Sequence, residues 1–297
     1  MKSKILVLMS IYNESLDFIK QSTLSIREQT YSNFCVVIVI DNPKISAEIL
    51  DYLNSLSNND QRFLIHRNET NIGLANSLNL AASKVELADF DYIARMDSDD
   101  ISLPKRFETQ INFLLSNPDV DLIGSSAYQI DECNRHLDDF TVSKGLVRLN
   151  YGSSSIHPTW MMKKSIFVDL CGYRDFECAQ DYDFLCRASL RGYVIENIPE
   201  KLIFYRLRSN SIGAKKRLLQ RRIKYYISYK YRNKTLLENG VPLLSDNIMC
   251  FLFNFIEEVK ANNKTLSVLL YPFSLYHMRN IYLLYMNSRE KNCEYKN

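Results

Sequence analysis

Glycine and proline are scarce, at 8 and 7 in 297 residues, and there are only four histidines and one tryptophan. That scarcity excludes collagen-like and low-complexity sequence. Four widely spaced histidines offer no metal-ligand spacing, which argues against zinc. The seven cysteines are an odd number without a CxxC pair, and most lie among apolar residues. They read as reduced thiols of a cytosolic chain rather than as a disulfide framework. Long apolar runs are missing as well: Phe34–Ile40 falls far short of the ~20 residues that span a bilayer as a helix. The apolar residues after Lys4 break at Ser10 with no small-residue cleavage site, so they predict a strand and not a secretory signal.

An excess of charge is also missing, since 37 basic residues face 34 acidic ones for a net +3. The distribution is uneven. Twelve Lys or Arg and no acidic residue fall between Lys201 and Leu237, leaving 25 basic against 34 acidic residues elsewhere. Such a stretch predicts an anionic partner or, more plainly, a solvated helix face. The length exceeds the ~250 residues at which a single core stops growing, so the expected organisation is a domain over 1–213 and a smaller lobe over 214–297.

Through the first hundred residues short apolar runs alternate with amphipathic stretches. Strands are predicted at Ile5–Met9, Phe34–Ile40, Arg62–His66 and Tyr92–Met96, and helices at Leu16–Gln29, Ala47–Leu56 and Leu74–Ser83. Strands apolar on both faces and separated by helices imply a mostly parallel sheet covered on two sides, an α/β fold. Ser102-Leu103-Pro104 reads as a helix start carrying Phe107, Ile111 and Leu114 inward. A strand over Asp121–Ile130, a short helix over Ser165–Leu170, a helix over Tyr182–Leu190 closed by Gly192, and strands at Val194–Glu196 and Leu202–Tyr205 follow. Beyond residue 213 the pattern is helical, basic and rich in tyrosine.

Ligands of such sheets bind beyond the carboxyl ends of the strands, and there the polar residues gather. Asp97-Ser98-Asp99-Asp100 follows the fourth strand. Three carboxylates so close repel one another, and a divalent cation with oxygen ligands, Mn²⁺ or Mg²⁺, would relieve them; an acidic turn capping the next helix is the plainer reading. Asp181 and Asp183 open a later helix, where a carboxylate is either an N-terminal cap or, within reach of a sugar hydroxyl, a general base.

Ser10-Ile11-Tyr12-Asn13-Glu14, the run Tyr92 to Phe107 around Asp97-Ser98-Asp99-Asp100, His157-Pro158-Thr159, Gln180-Asp181-Tyr182-Asp183-Phe184 and Tyr205-Arg206-x-Arg208-x-Asn210-Ser211-Ile212 stand in the order and spacing of one family. Over residues 3–212 the chain resembles the bacterial family-two inverting glycosyltransferases, in the branch that builds capsules and O-antigens. The resemblance implies a GT-A fold, a UDP-sugar donor carrying a hexose or N-acetylhexosamine, and a divalent cation. It implies that Ser10, Tyr12 and Glu14 line the nucleotide pocket, that Asp41 faces the base, and that Asp97 and Ser98 approach ribose and phosphates. Asp99 would be the principal metal ligand with Asp97 beside it, Asp181 the catalytic base, and His157 part of the acceptor side. Trp160 follows that motif and either stacks on a sugar face or belongs to the core.

The chain departs from the family twice. Asp41-Asn42-Pro43 stands where two acidic residues and a glycine are common, and Arg208 stands where a histidine often completes the metal shell. Arginine cannot ligate a cation but can hold a diphosphate, so weaker metal dependence is expected. The rivals fit less well: a haloacid-dehalogenase-like phosphatase expects its acidic motif on an early strand, and a sugar nucleotidyltransferase expects a glycine-rich loop where Ser10-Ile11-Tyr12-Asn13 stands. An inactive glycan-binding or membrane-docking subunit stays open. The basic segment carries no nucleic-acid-binding motif. A polyprenyl-diphosphate-linked glycan acceptor would bring the enzyme to the inner leaflet of the cytoplasmic membrane, where anionic lipid attracts Lys and Arg at about 1 kcal/mol each; a homodimer through the lobe is the competing use.

Overall fold

Ile5–Ile11 (β1), Phe34–Ile40 (β2), Phe63–Arg67 (β3) and Tyr92–Arg95 (β4) pair in parallel in the order β3-β2-β1-β4, as the sequence predicts. The protein is seen here in a computed structural model that describes residues 2–150, 152–208 and 217–236. Alternate residues of β1 serve two cores, because successive side chains of a strand point to opposite faces. Leu6 and Leu8 pack toward Leu74–Ser83 (α3), and Ile5, Val7, Met9 and Ile11 pack toward Leu16–Arg27 (α1) and Ala47–Asn59 (α2). Ser15 and Ser46 cap α1 and α2 by accepting from the Phe18 and Ile49 N–H groups at 3.3 and 3.4 Å.

The second half departs from a doubly wound sheet. Ile101–Ser102 (β5), Leu122–Ile130 (β6), His136–Phe140 (β7), Gly145–Leu146 (β8), Met161–Lys163 (β9) and Ile195–Arg206 (β10) continue the sheet along the path β4-β9-β6-β10-β5, with β7 on β6 and β8 on β10. β9 runs antiparallel to both β4 and β6, while β6 and β10 are parallel to each other. The two late strands expected from the sequence are one strand, bulged between Ile198 and Ile203. The helix expected to start at Ser102 instead spans Arg106–Ser116 (α4). Ser102 is in β5, opposite Ile203 of β10, and its hydroxyl accepts from Gln29 Nε2 at 3.1 Å.

Lys164–Asp169 (α5) and Gln180–Leu190 (α6) close the face on which α3 lies. Arg217–Arg232 (α7) packs on the same face through Ile223, Tyr226 and Ile227. It is tied down by Ser228 Oγ donating to the Asn150 carbonyl at 2.6 Å, and its Tyr231 hydroxyl lies 2.9 Å from Ser189 Oγ. The rest of the expected lobe lies outside the described residues. This arrangement brings the ends of β1, β2, β4 and β10 to one edge of the sheet.

Candidate active site

The turn after β4 places oxygens of Asp97, Asp99 and Asp100 within 4.8 Å of one another. Asp100 is buried; one oxygen accepts from the Arg206 N–H at 2.8 Å and the other has no hydrogen-bond partner. Burial, then the neighbouring Asp99 and Asp97 charges, push its carboxyl well above the usual range. Asp99 is pushed up to about 6 by burial and Asp97, against the opposing pull of Arg208.

Guanidinium groups surround these acids. Arg95 is buried beneath them and pairs with Asp97. Arg106, also buried, donates to the Arg95 carbonyl at 2.7 Å and to Gln110 Oε1 at 3.1 Å, and desolvation pulls it down to about 9. Arg206, at the end of β10, donates to the Asp99 carbonyl at 2.7 Å and to Gln21 Oε1 at 2.9 Å. Arg208 donates through Nη1 to Asp99 Oδ2 at 2.9 Å and to Glu14 Oε1 at 3.2 Å. Arg95, Arg106 and Arg206 had no role in the sequence reading. Their signal was present, since all three stand inside the quoted motifs, Arg95 as a lone cation in the apolar fourth strand.

The residues expected around a nucleotide divide into two kinds. Tyr12 is 45% exposed at the mouth, its N–H held by Glu14 Oε2 at 2.7 Å, and Ser10 is partly exposed. Ser98, expected to approach the phosphates, is buried with its hydroxyl donating to the Ser10 carbonyl at 2.9 Å, which ties the turn after β4 to the end of β1. Asp41, expected to face a base, is 3% exposed. It accepts from Asn68 Nδ2 and the N–H groups of Ile72 and Gly73, all at 2.8 Å. The carboxylate therefore organises the turn that starts α3, where Gly73 has φ +84°.

Across the site, Ala179 adopts a left-handed conformation, φ +60°, and turns the chain into α6. The two acids that follow have different surroundings. Asp183 is buried against Arg187 Nε at 2.8 Å and Arg174 Nη1 at 3.6 Å. Arg187 in turn donates to the carbonyls of Leu170 and Gly172, each at 2.8 Å. Asp181 is partly exposed, and no hydrogen bond or ion pair engages it among the described residues. Its charge acts on the same two phenols as the acidic cluster: burial raises the Tyr173 and Tyr205 hydroxyls, and both Asp97 and Asp181 push them further up.

His157 lies 2.9 Å from the Tyr173 hydroxyl through Nε2, and burial, with Arg95 nearby, holds its pKa well below the usual value, so the ring is neutral. Tyr173 is clamped by Asn79, which accepts from its N–H at 2.8 Å and donates to its carbonyl at 2.7 Å. Neither residue was singled out in the sequence. Trp160 settles on the core side of its two readings: it is fully buried, with Nε1 donating to Ser155 Oγ at 2.9 Å, and has no face to offer a sugar.

The chemistry of the acidic cluster suits a divalent cation. Oxygen donors lie close together, and one buried oxygen of Asp100 lacks a donor of its own.

A family model described as glycosyl transferase family 2 matches residues 6–170. The chain belongs to this family. It is therefore a glycosyltransferase, and the matched span includes the acidic cluster but ends before Asp181 and Arg208. It is 33% identical over 248 residues to an uncharacterized glycosyltransferase of Methanocaldococcus jannaschii, covering 81% of this chain and 83% of that one. It is 34% identical over 193 residues to the O-antigen biosynthesis glycosyltransferase WbnJ of Escherichia coli, covering 63% and 73%. It is 29% identical to the UDP-Gal:alpha-D-GlcNAc-diphosphoundecaprenol beta-1,3-galactosyltransferase of E. coli, covering 76% and 80%. The crystal structure of S. aureus TarS 1-349 in complex with UDP-GlcNAc superposes with a TM-score of 0.60 at 16% identity, over 93% of this chain and 87% of that one. This glycosyltransferase thus has a GT-A fold.

Proposed function

We propose that this glycosyltransferase moves a hexose or N-acetylhexosamine from a UDP-sugar to a hydroxyl of a lipid-linked glycan, with inversion, in the synthesis of a surface polysaccharide. The observation that carries the reading is the close set of Asp97, Asp99 and Asp100 oxygens, together with a carboxylate, Asp181, that no donor among the described residues engages. A UDP-sugar and a diphosphoundecaprenol-linked acceptor stand in the name of one relative, which supports both substrates.

The acceptor hydroxyl attacks the anomeric carbon from the face opposite the diphosphate. A carbon–oxygen bond forms, the bond to the diphosphate breaks with its electron pair, and Asp181 takes the hydroxyl proton. Asp181 suits this role because no donor among the described residues competes for its lone pairs. A cation such as Mn²⁺ or Mg²⁺ held by Asp97, Asp99 and Asp100 would neutralise charge on the leaving diphosphate. Arg208 reaches the same region as a charged donor for the diphosphate. Neutral His157, held by Tyr173, walls the acceptor side without adding a competing charge, and exposed Tyr12 offers a ring to the base. No helix among the described residues is long and apolar enough to cross a membrane. The basic face of α7 supports docking on anionic lipid at the inner leaflet, in the cytoplasm.

Purified protein incubated with a panel of nucleotide sugars and Mn²⁺ tests the reading. Release of UDP from one UDP-sugar, stimulated by a polyprenyl-diphosphate-linked acceptor, is the expected result. Release from no member of the panel would leave the inactive-subunit reading in its place.

A further inference from the structure

Arg208 Nη1 lies 2.9 Å from Asp99 Oδ2 and 3.2 Å from Glu14 Oε1, with side-chain exposures of 14% for Arg208, 20% for Asp99 and 16% for Glu14. The carboxylate best placed to hold a cation thus already holds one, a guanidinium that also reaches back to the β1 loop. The remainder of the cluster is not satisfied by it. Asp100 keeps a buried oxygen with no hydrogen-bond partner, and an oxygen of each of Asp97, Asp99 and Asp100 lies within 4.8 Å of the others.

We propose that Arg208 and the divalent cation exclude one another at Asp99, so that the site takes up its cation together with the donor's diphosphate, which draws the guanidinium away. Three physical points support it. An Asp99 oxygen that accepts an N–H at 2.9 Å directs that lone pair at the guanidinium, and a metal at the ~2.1 Å typical of Mg²⁺ ligands would sit against a like charge. A diphosphate is the stronger partner for a guanidinium, since it offers a bidentate, more highly charged acceptor than two carboxylates on different loops. The same diphosphate supplies oxygens that complete a cation's shell.

Cation and diphosphate then bind with positive coupling, by the same factor in either order. Apparent cation affinity without nucleotide is reduced by the fraction of molecules in which Arg208 is unseated. The inference rests on the donor reading for the identity of the diphosphate, whereas the competition at Asp99 stands on the ion pairs alone.

The test is a titration of the full chain with Mn²⁺, following free Mn²⁺ by electron paramagnetic resonance, with and without UDP. Without UDP, Arg208→Gln should bind Mn²⁺ about tenfold more tightly than wild type, the factor expected if the guanidinium is seated about nine-tenths of the time. Arg208→Met should behave alike, and circular dichroism of both variants checks that they fold. UDP, which also adds ligand oxygens to the cation, should tighten Mn²⁺ binding in both proteins, about tenfold more in wild type than in Arg208→Gln. The double variant Arg208→Gln with Asp99→Asn should lose the gain. Equal or weaker Mn²⁺ binding by both Arg208 variants without UDP, or a gain that survives in the double variant, overturns the proposal. A wild-type protein indifferent to UDP would count against the donor reading, while the comparison without UDP still decides the competition.

Discussion

At the end of β4 three carboxylates sit among Arg95, Arg206 and Arg208, and one buried oxygen is left over. At the start of α6 the two acids differ: Asp183 takes two arginines, although its Oδ1 accepts no hydrogen bond, and Asp181, two residues earlier, takes none among the described residues. The contrast separates acids that hold structure from acids kept ready for a ligand. Asp183 fixes Arg187 and, through it, the Leu170–Gly172 turn beside Tyr173. Asp181 engages no donor among the described residues, as the proposed base requires. The cluster after β4 lies between these cases, partly neutralised by arginine and partly open to a cation.

The largest expected effect breaks the contrast within α6. Asp181→Asn removes the proton acceptor and should lower the transfer rate by about 10²–10⁴, the range for a lost general base. Donor affinity, measured by UDP titration, should stay within a few-fold. Substantial residual transfer would take Asp181 out of this role.

Asp183→Ala should act on stability instead. Arg187 would be left nearly buried, at 4% exposure, with its Nε donor unpaired. Breaking a buried pair from one side typically costs about 3 kcal/mol. Urea unfolding should show that loss, while the folded variant keeps far more turnover than Asp181→Asn. A variant as stable as wild type but equally inactive would mean that the two acids had been assigned the wrong way round.

The parallel half of the sheet was legible in the sequence because β1, β2 and β4 are largely apolar on both faces and two of its helices begin with a capping serine. The other half was not. β7 is exposed along its whole length, and β9 has three residues, Met161-Met162-Lys163, too few to show a period. Ser102-Leu103-Pro104 carries a helix-start signal, but pairing with β10, a hundred residues away, overrides it. The same limit applies to the site. Ser98, Asp41 and Trp160 stand in or beside the motifs, but each side chain's direction is set by a partner that the motif does not name: Ser10, the Asn68–Gly73 segment and Ser155.

The smallest expected effect sharpens the comparison by its sign. Asp99 is raised to about 6 by burial and Asp97, from the usual ~3.9 of an aspartate. Between about pH 4 and pH 6 the folded protein therefore holds a proton that the unfolded chain has lost, and stability falls as pH rises through that window. Above pH 6 the cost is fully present. Loss of the Arg208 ion pair is already counted in that net upward shift. In EDTA at pH 7.5, Asp99→Asn should thus melt a few degrees above wild type, the opposite of Asp183→Ala. The gain should shrink as pH falls through 6 and vanish near 4. If Asp99→Asn melts below wild type at pH 7.5, the Arg208 pair outweighs burial, and Asp99 belongs with Asp183 among the acids that hold the fold.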